Sequence, residues 1–252
     1  MQRTIALLEA LSGSGRGASL GSLALAAGLS QATTLRYLST LVATGVVDKD
    51  PVDGTYRLGL GFLLLWERAM GDLDPRSVAG PYMEALRDAH GETVVLAAFS
   101  RDRLVLIDAR EGLHAIKAGA RIGQEVPLHS NGVGKAILAH LDAERRRTLL
   151  EGYDLTRVTE NTIVDPRTLE RELTLARERG YAIDDEESRI GLRCVAVPIF
   201  DRHGDPTYAI SVSAPTANVP REALDEIGRE MVALTATLSG RFGYSGSTVS
   251  RT

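Results

Sequence analysis

The chain has 252 residues, 44% hydrophobic and 25% charged, a balance that excludes a disordered chain and suits one large or two modest folded domains. The longest apolar run, 62–66, is far below the ~20 residues a membrane span needs, and no basic region followed by an apolar core opens the chain, so neither a span nor a signal peptide is expected. One cysteine, Cys194, excludes an intrachain disulfide and fits a cytoplasmic protein, while a net charge of -4 gives no reason to expect nucleic acid as a partner of the whole chain.

Thr4 to Leu11 predicts a first helix, with Ile5, Leu8 and Leu11 on one stripe. The run Gly13-Ser14-Gly15-Arg16-Gly17 breaks it. Ser19 is a good N-cap for a second helix, with Leu20, Leu23 and Ala27 inward and Gly28 as its stop. Ser30 caps a third helix, over 31–44. Its Leu35, Leu38, Leu41 and Val42 recur at spacings of three and four, which predicts a buried face. Thr33, Arg36, Tyr37 and Thr40 fall on the opposite side. Val46 to Lys49 and Thr55 to Leu58 predict two short strands around the turn Asp50-Pro51-Val52-Asp53-Gly54.

Two helices across a glycine-containing turn, followed by a hairpin, make a winged helix-turn-helix, which lays its second helix in the major groove of DNA. The groove candidates are Gln31, Thr33, Thr34, Arg36 and Tyr37. Arg36 reads a base or touches phosphate, and Tyr37 faces the groove or packs on the wing. Thr55 and Arg57 are candidates for the backbone or minor groove. Charge adds little: residues 1–60 hold five basic and four acidic side chains, a balance of +1.

Gly59 to Met70 predicts a strongly apolar helix. Phe62, Leu63, Leu64, Leu65 and Trp66 are more than a core of this size can cover. They point to a linker helix packed on its copy in a second subunit, with docking on its own second domain as the alternative. Gly71 to Pro75 marks a boundary.

Beyond it helices and strands alternate. Helices are predicted over 78–90, 135–141, 143–150, 166–179 and 220–242. Strands are predicted over 93–99, 104–108, 114–120, 181–184, 193–200 and 207–212, a mostly antiparallel sheet of about six strands with helices on its faces. Pro127 to Gly134 is expected as a glycine-containing loop. The Ser/Gly/Thr-rich tail, 244–252, is expected to be disordered.

These segments resemble the IclR family of bacterial transcriptional regulators. The resemblance is carried by SLGSLALAAGLSQATTLRYLSTLVATGVVDKDPVDGTYRLG (19–59), PLHSNGVGKAIL (127–138) and GYAIDDEESRIGLRCVAVPIFDRHGDPTYAISVSAP (180–215). It implies an α+β chain of two domains: a winged helix-turn-helix (1–59), a linker helix (60–76), a profilin-like, GAF-related effector domain with an antiparallel sheet (77–243), and the tail. It also implies a non-enzymatic DNA-binding repressor without a cofactor or metal. Such proteins act as dimers, often tetramers, on a pseudopalindromic operator. They respond to a small effector such as a sugar acid or an aromatic or other organic acid.

The family's effector pocket falls here on Gly132, Val133, Asp184, Leu192, Cys194, Ser211 and Ser213. The chemistry fits an acid. Backbone N–H groups of a glycine-containing loop can cradle a carboxylate, and Ser211 and Ser213, two apart on a strand, aim both hydroxyls at one face. Ala32 and Thr34 depart from the family's pattern in the recognition helix, so the operator does not carry over. Asn131-Gly132-Val133 is one of several variants of the loop and does not fix the effector.

Other chemistries fit less well. Gly132-Val133-Gly134-Lys135 lacks the spacing and the Ser/Thr of a phosphate loop. Asp184-Asp185-Glu186-Glu187 reads as a solvated acidic edge rather than a metal site with His129, Cys194 or His203. Cys194 has no orienting group for a nucleophile and reads as a buried pocket residue. Two rival functions stay open: an enzyme acting through the C-terminal domain, and a constitutive DNA-binding protein whose C-terminal domain only oligomerises.

Overall fold

In the computed structural model the described residues are 2–14, 17–70 and 74–246, with the backbone alone over 66–70. The chain divides into two compact units, Met1–Asp74 and Pro75–Thr252. Among the described residues no helix is long and apolar enough to cross a membrane.

The first unit holds α1 (Gln2–Gly13), α2 (Leu20–Ala26), α3 (Gln31–Ala43), the hairpin β1 (Val47–Lys49) and β2 (Tyr56–Leu58), and α4 (Gly61–Met70). Its helix starts follow from local chemistry. Ser19 Oγ accepts the Ser22 N–H at 3.1 Å, and Ser30 Oγ accepts the Thr33 N–H at 3.3 Å. Such caps contribute about 1 kcal/mol each by satisfying donors that a helix start leaves open. Leu7, Leu11, Leu23, Leu38, Val47 and Tyr56 form the core. Gly45, at φ 71°, ends α3 and lets the chain turn into the hairpin. The chain leaving the hairpin passes so close that a Cβ on Gly59 would lie 2.3 Å from the Gly45 carbonyl oxygen. On α4, Leu63, Leu64 and Leu65 are exposed. The Trp66 side chain and the boundary residues 71–73 lie outside the described residues.

Burial corrects the phase of α3. Thr34 is completely buried beside Leu38, with Leu41 and Tyr37 partly buried against the same core. Leu35 and Val42, expected inside, are exposed. Thr34 therefore cannot reach a DNA groove from where it sits. The inward stripe is 34, 38, 41: Leu38 and Leu41 lie where expected, but Thr34 replaces Leu35 and Val42, a turn of the buried face by roughly 40°.

The second unit holds α5 (Pro75–His90), β3 (Thr93–Ser100), β4 (Arg103–Arg110), α6 (Gly132–His140), α7 (Ala143–Leu150), α8 (Pro166–Arg179), β5 (Ala182–Asp185), β6 (Leu192–Phe200), β7 (Pro206–Pro215) and α9 (Leu224–Arg241). Its strands form one antiparallel sheet in the order β4-β3-β7-β6-β5. The sheet has five strands among the described residues. The strand expected over 114–120 is irregular chain, held by side chains rather than by a ladder: Thr93 Oγ1 donates to the Ala118 carbonyl (2.8 Å) and Asn218 Nδ2 to that of Ile116 (3.4 Å). The loop expected over 127–134 ends early, because Asn131 caps α6 and draws Gly132, Val133 and Gly134 into its first turn. Tyr244, expected in a disordered tail, stacks on Phe200 at 5.1 Å between ring centres; residues 247–252 lie outside the described residues.

Both faces of the sheet are covered, and its strands are accordingly apolar on both sides. α5 and α9 pack on large side chains: Val94, Leu96, Val195, Val197, Ile199, Ile210 and Val212. α6 and α8 pack on the alternate residues, which include Ala97, Ala196 and Ala209. Small residues on this second face leave room between sheet and helix.

Candidate functional site

That room is a cavity of about 270 Å³ at the N-terminal end of α6. Its floor is one row across four strands. Thr93 of β3 pairs with Ser213 of β7, Ser213 with Cys194 of β6, and Cys194 with Asp184 of β5. Side chains of directly paired residues share a face of the sheet. Ser211, two along β7, adds a second hydroxyl 3.4 Å from that of Ser213. Opposite stands the start of α6, where Asn131 Oδ1 accepts the Gly134 N–H at 2.8 Å. The N–H groups of Gly132 and Val133 lie in the first turn, where a helix offers no internal acceptor and carries partial positive charge. The approach is close because Gly132 lacks a side chain: a Cβ there would lie 3.2 Å from that of Ala196.

Gly132, Val133, Asp184, Leu192, Cys194, Ser211 and Ser213, carried over from the family pattern, thus all line this one cavity. Sequence reasoning missed the further polar members Thr93, Gln124, Ser130, Asn131, Ser188 and Arg189. Thr93 uses its hydroxyl to hold the strap over the cavity, accepting from the Gly112 N–H (3.0 Å) while donating to Ala118. Ser130 lines the cavity with a buried hydroxyl that has no partner among the described residues. An unpaired buried hydroxyl costs ~1–3 kcal/mol unless water or a ligand satisfies it.

The acidic run behind this wall corrects the expectation of a solvated edge. Asp184 is fully buried and Glu187 nearly so. Glu186, at φ 62°, folds the chain back, so Glu187 returns to the side of Asp184. Asp184 accepts the N–H groups of Glu187 (2.8 Å) and Ser188 (3.1 Å) and the Ser188 hydroxyl (2.5 Å). Burial nevertheless pushes its carboxyl above the usual aspartate range. Glu187 meets the ammonium of Lys135, itself completely buried on α6, with Glu172 at 3.8 Å from the same nitrogen. Burial raises Glu187 to about 7 against the opposing pull of Lys135. Asp185 and Glu186 instead face Arg193, at 2.7 and 3.9 Å.

These contacts bear on the competing chemistries. Lys135 points into carboxylates, not toward a phosphate over the Gly132–Gly134 turn. The Cys194 thiol is pushed far above its ordinary value, by burial first and the Asp184 charge second, so it is not a thiolate nucleophile. Among the described residues no group of three or more His, Cys, Asp and Glu is placed to hold a metal ion.

In the first unit, Gln31 and Arg36 are exposed on α3, Thr33 and Tyr37 are half-buried, and Arg57 is exposed on β2. Thr55 donates its hydroxyl hydrogen to Asp53 Oδ1 at 2.7 Å, which holds that carboxyl below its ordinary value and leaves Thr55 only an acceptor to offer. Lys49 lies over the Tyr56 ring, 5.5 Å from its centre.

Residues 1–51 match the IclR helix-turn-helix domain, and residues 67–239 match the C-terminal domain of the bacterial transcriptional regulator IclR. The chain is 32% identical to the transcriptional repressor IclR of Escherichia coli K12 over 245 residues, 96% of this chain and 89% of that one. It is 36% identical over 236 residues to the HTH-type transcriptional repressor AllR of the same strain, 94% and 87% of the two chains. The crystal structure of the Thermotoga maritima IclR matches with a TM-score of 0.76 and 30% identity over 96% of this chain and 98% of that chain. An IclR homologue from Microbacterium hydrocarbonoxydans complexed with 4-hydroxybenzoate matches with a TM-score of 0.80 and 28% identity, over 95% and 98%. The helix-turn-helix, the five-stranded effector-type domain and these matches over nearly the whole length lead to one conclusion: the chain belongs to the IclR family of bacterial transcriptional regulators.

Proposed function

We propose that this protein is a DNA-binding repressor released or retained by a small carboxylate effector. The reading rests above all on the first cavity, where open N–H groups at the start of α6 face the hydroxyls of Ser211 and Ser213. A helix start with free N–H groups attracts an anion. The hydroxyls suit an adjacent oxo or hydroxy group, and Asp184 can meet a donor beside them. Support also comes from the homologue that holds 4-hydroxybenzoate.

On the DNA side, Gln31, Arg36 and the accessible parts of Thr33 and Tyr37 enter the major groove. Arg57 and Thr55 flank it from the wing. A near-neutral unit binds DNA better as a pair, and the exposed leucines of α4 suit a homodimer contact. The effector acts only through unequal affinity for the DNA-competent and incompetent states.

A thermal-shift screen of carboxylates, followed by calorimetry, tests the site. Ser211→Ala and Ser213→Ala weaken binding of the hit about tenfold each, in line with one lost hydrogen bond to a charged group. Arg36→Ala abolishes operator binding in a mobility-shift assay but leaves the calorimetry unchanged. Full effector affinity in both serine variants removes the site from this cavity.

A further inference from the structure

The segment 127–131 leads into α6, and its backbone is fixed on both sides. The Leu128 N–H donates to the Tyr153 hydroxyl oxygen at 2.9 Å. His129 Nε2 donates to the Thr156 carbonyl at 3.1 Å, on the side of a second cavity of about 570 Å³. Asn131 Nδ2 donates to the Pro127 carbonyl, while its Oδ1 caps the Gly134 N–H. From the other side Gly134 approaches the Leu128 backbone so closely that no Cβ fits between them.

Within this fixed segment the Ser130 hydroxyl stands apart. Ser130 is 1% exposed, lines the first cavity, and has no hydroxyl partner among the described residues. His129 Nδ1 and the hydroxyls of Thr34 and Thr207 lack partners too, but none of those residues lines this cavity. Ser130 immediately precedes the cap Asn131, so its hydroxyl belongs to the same turn as the N–H groups of Gly132 and Val133. On a fixed backbone one side-chain torsion remains, and the hydroxyl hydrogen turns toward whatever acceptor is offered. The cavity wall offers little. Asp184 is the only carboxylate among the lining residues, and it already accepts three hydrogen bonds from Glu187 and Ser188.

We propose that Ser130 is a further effector-contacting residue, whose hydroxyl donates to the acid's carboxylate beside the N–H groups of Gly132 and Val133. The inference rests on the reading of the first cavity as the effector site. A carboxylate presents two oxygens with about four lone-pair sites, so two backbone N–H groups leave room for a third donor. A hydroxyl that donates to an ionised group makes a stronger bond than one that donates to a neutral acceptor. With no protein partner to lose, the Ser130 hydroxyl contributes to binding and not to folding. That separates it from a serine that holds the segment in place.

The test is calorimetry and thermal unfolding on the full chain, for the wild type, Ser130→Ala and Ser213→Ala. The probes are acetate, lactate, 2-oxobutyrate and 4-hydroxybenzoate. Ser130→Ala weakens the tightest of these acids about tenfold, the loss of one hydrogen bond to a charged group. Its melting temperature without acid stays equal to that of the wild type or rises. Undiminished affinity in Ser130→Ala, with Ser213→Ala weakened, overturns the Ser130 contact and leaves the site standing. A lower melting temperature of Ser130→Ala without acid also overturns it, because the hydroxyl then serves the fold. No heat from any of the four acids with the wild type overturns the carboxylate site itself, and the Ser130 contact falls with it.

Discussion

Replacing Lys135 by methionine removes the only cation within reach of Glu187's carboxylate among the described contacts, at a site where both side chains are buried. Removing one partner of a buried ion pair costs about 3–5 kcal/mol when the other charge is stranded. Here the stranded group can escape by taking a proton. Glu187 titrates at about 7 in the folded protein, against 4.5 as its ordinary value. Its folded value is raised, so folding takes up a proton. Its contribution to stability is most favourable below 4.5 and is lost as pH rises through 7. Without Lys135, which pulls the value down, Glu187 titrates higher still. Below pH 7 it is largely protonated in both proteins, and Lys135→Met costs only about 1 kcal/mol, a net hydrogen bond. Above pH 7 the variant alone keeps the proton. The gap then widens by about 1.4 kcal/mol per pH unit until Glu187's new value is reached. Urea unfolding followed by circular dichroism at pH 6, 7, 8 and 9 reads this directly. A loss that stays the same across that range refutes the role given to the Lys135–Glu187 pair.

Other consequences follow from single contacts. Thr34→Val removes a buried hydroxyl that has no partner among the described residues. It leaves stability equal or up to about 1 kcal/mol higher and leaves operator affinity in a mobility-shift assay as it was; a loss of DNA binding returns Thr34 to the groove. Gly134→Ala puts a Cβ 2.3 Å from the Leu128 carbonyl oxygen. It lowers stability by about 1–3 kcal/mol or more in thermal unfolding, despite alanine's better helix propensity. Cys194, buried and held as the thiol, resists iodoacetamide in the native protein at pH 8 and reacts once urea unfolds it; fast native labelling contradicts its burial.

The local signals in the sequence were the reliable ones. Ser19, Ser30 and Asp165 cap helices where their spacing predicts, and the β6 and β7 hairpin lies on either side of the polar turn 201–205. The convergence of Ser211 and Ser213 was legible because strand periodicity puts both on one face; Cys194 entered only through the family resemblance, since its pairing with Ser213 depends on the register between two strands. Three features were not legible. α3 carries two overlapping stripes, 34-38-41 and 35-38-41-42, that share Leu38 and Leu41. Only packing against Leu7, Leu11 and Tyr56 chooses between them. The run Asp184–Glu187 looks solvated until Glu186 takes a positive φ and Lys135, 52 residues away, meets Glu187. The start of α6 depended on whether Asn131 capped it or sat in a loop, and glycines at 132 and 134 masked the helix. Lys135 carried one usable hint: it is one of three lysines in a chain whose other basic side chains are arginines and histidines, and it sits among apolar residues.

The central claim is that an acid bound at the start of α6 governs what α3 does on DNA. The direct measurement is fluorescence anisotropy of labelled operator DNA with the full-length protein, titrated with the carboxylate found by thermal shift, for the wild type and for Ser213→Ala. Wild-type operator affinity changes at least fivefold with the acid present, and Ser213→Ala needs about ten times more acid for the same change. An operator affinity indifferent to an acid that does bind, or an undiminished response in Ser213→Ala, contradicts it.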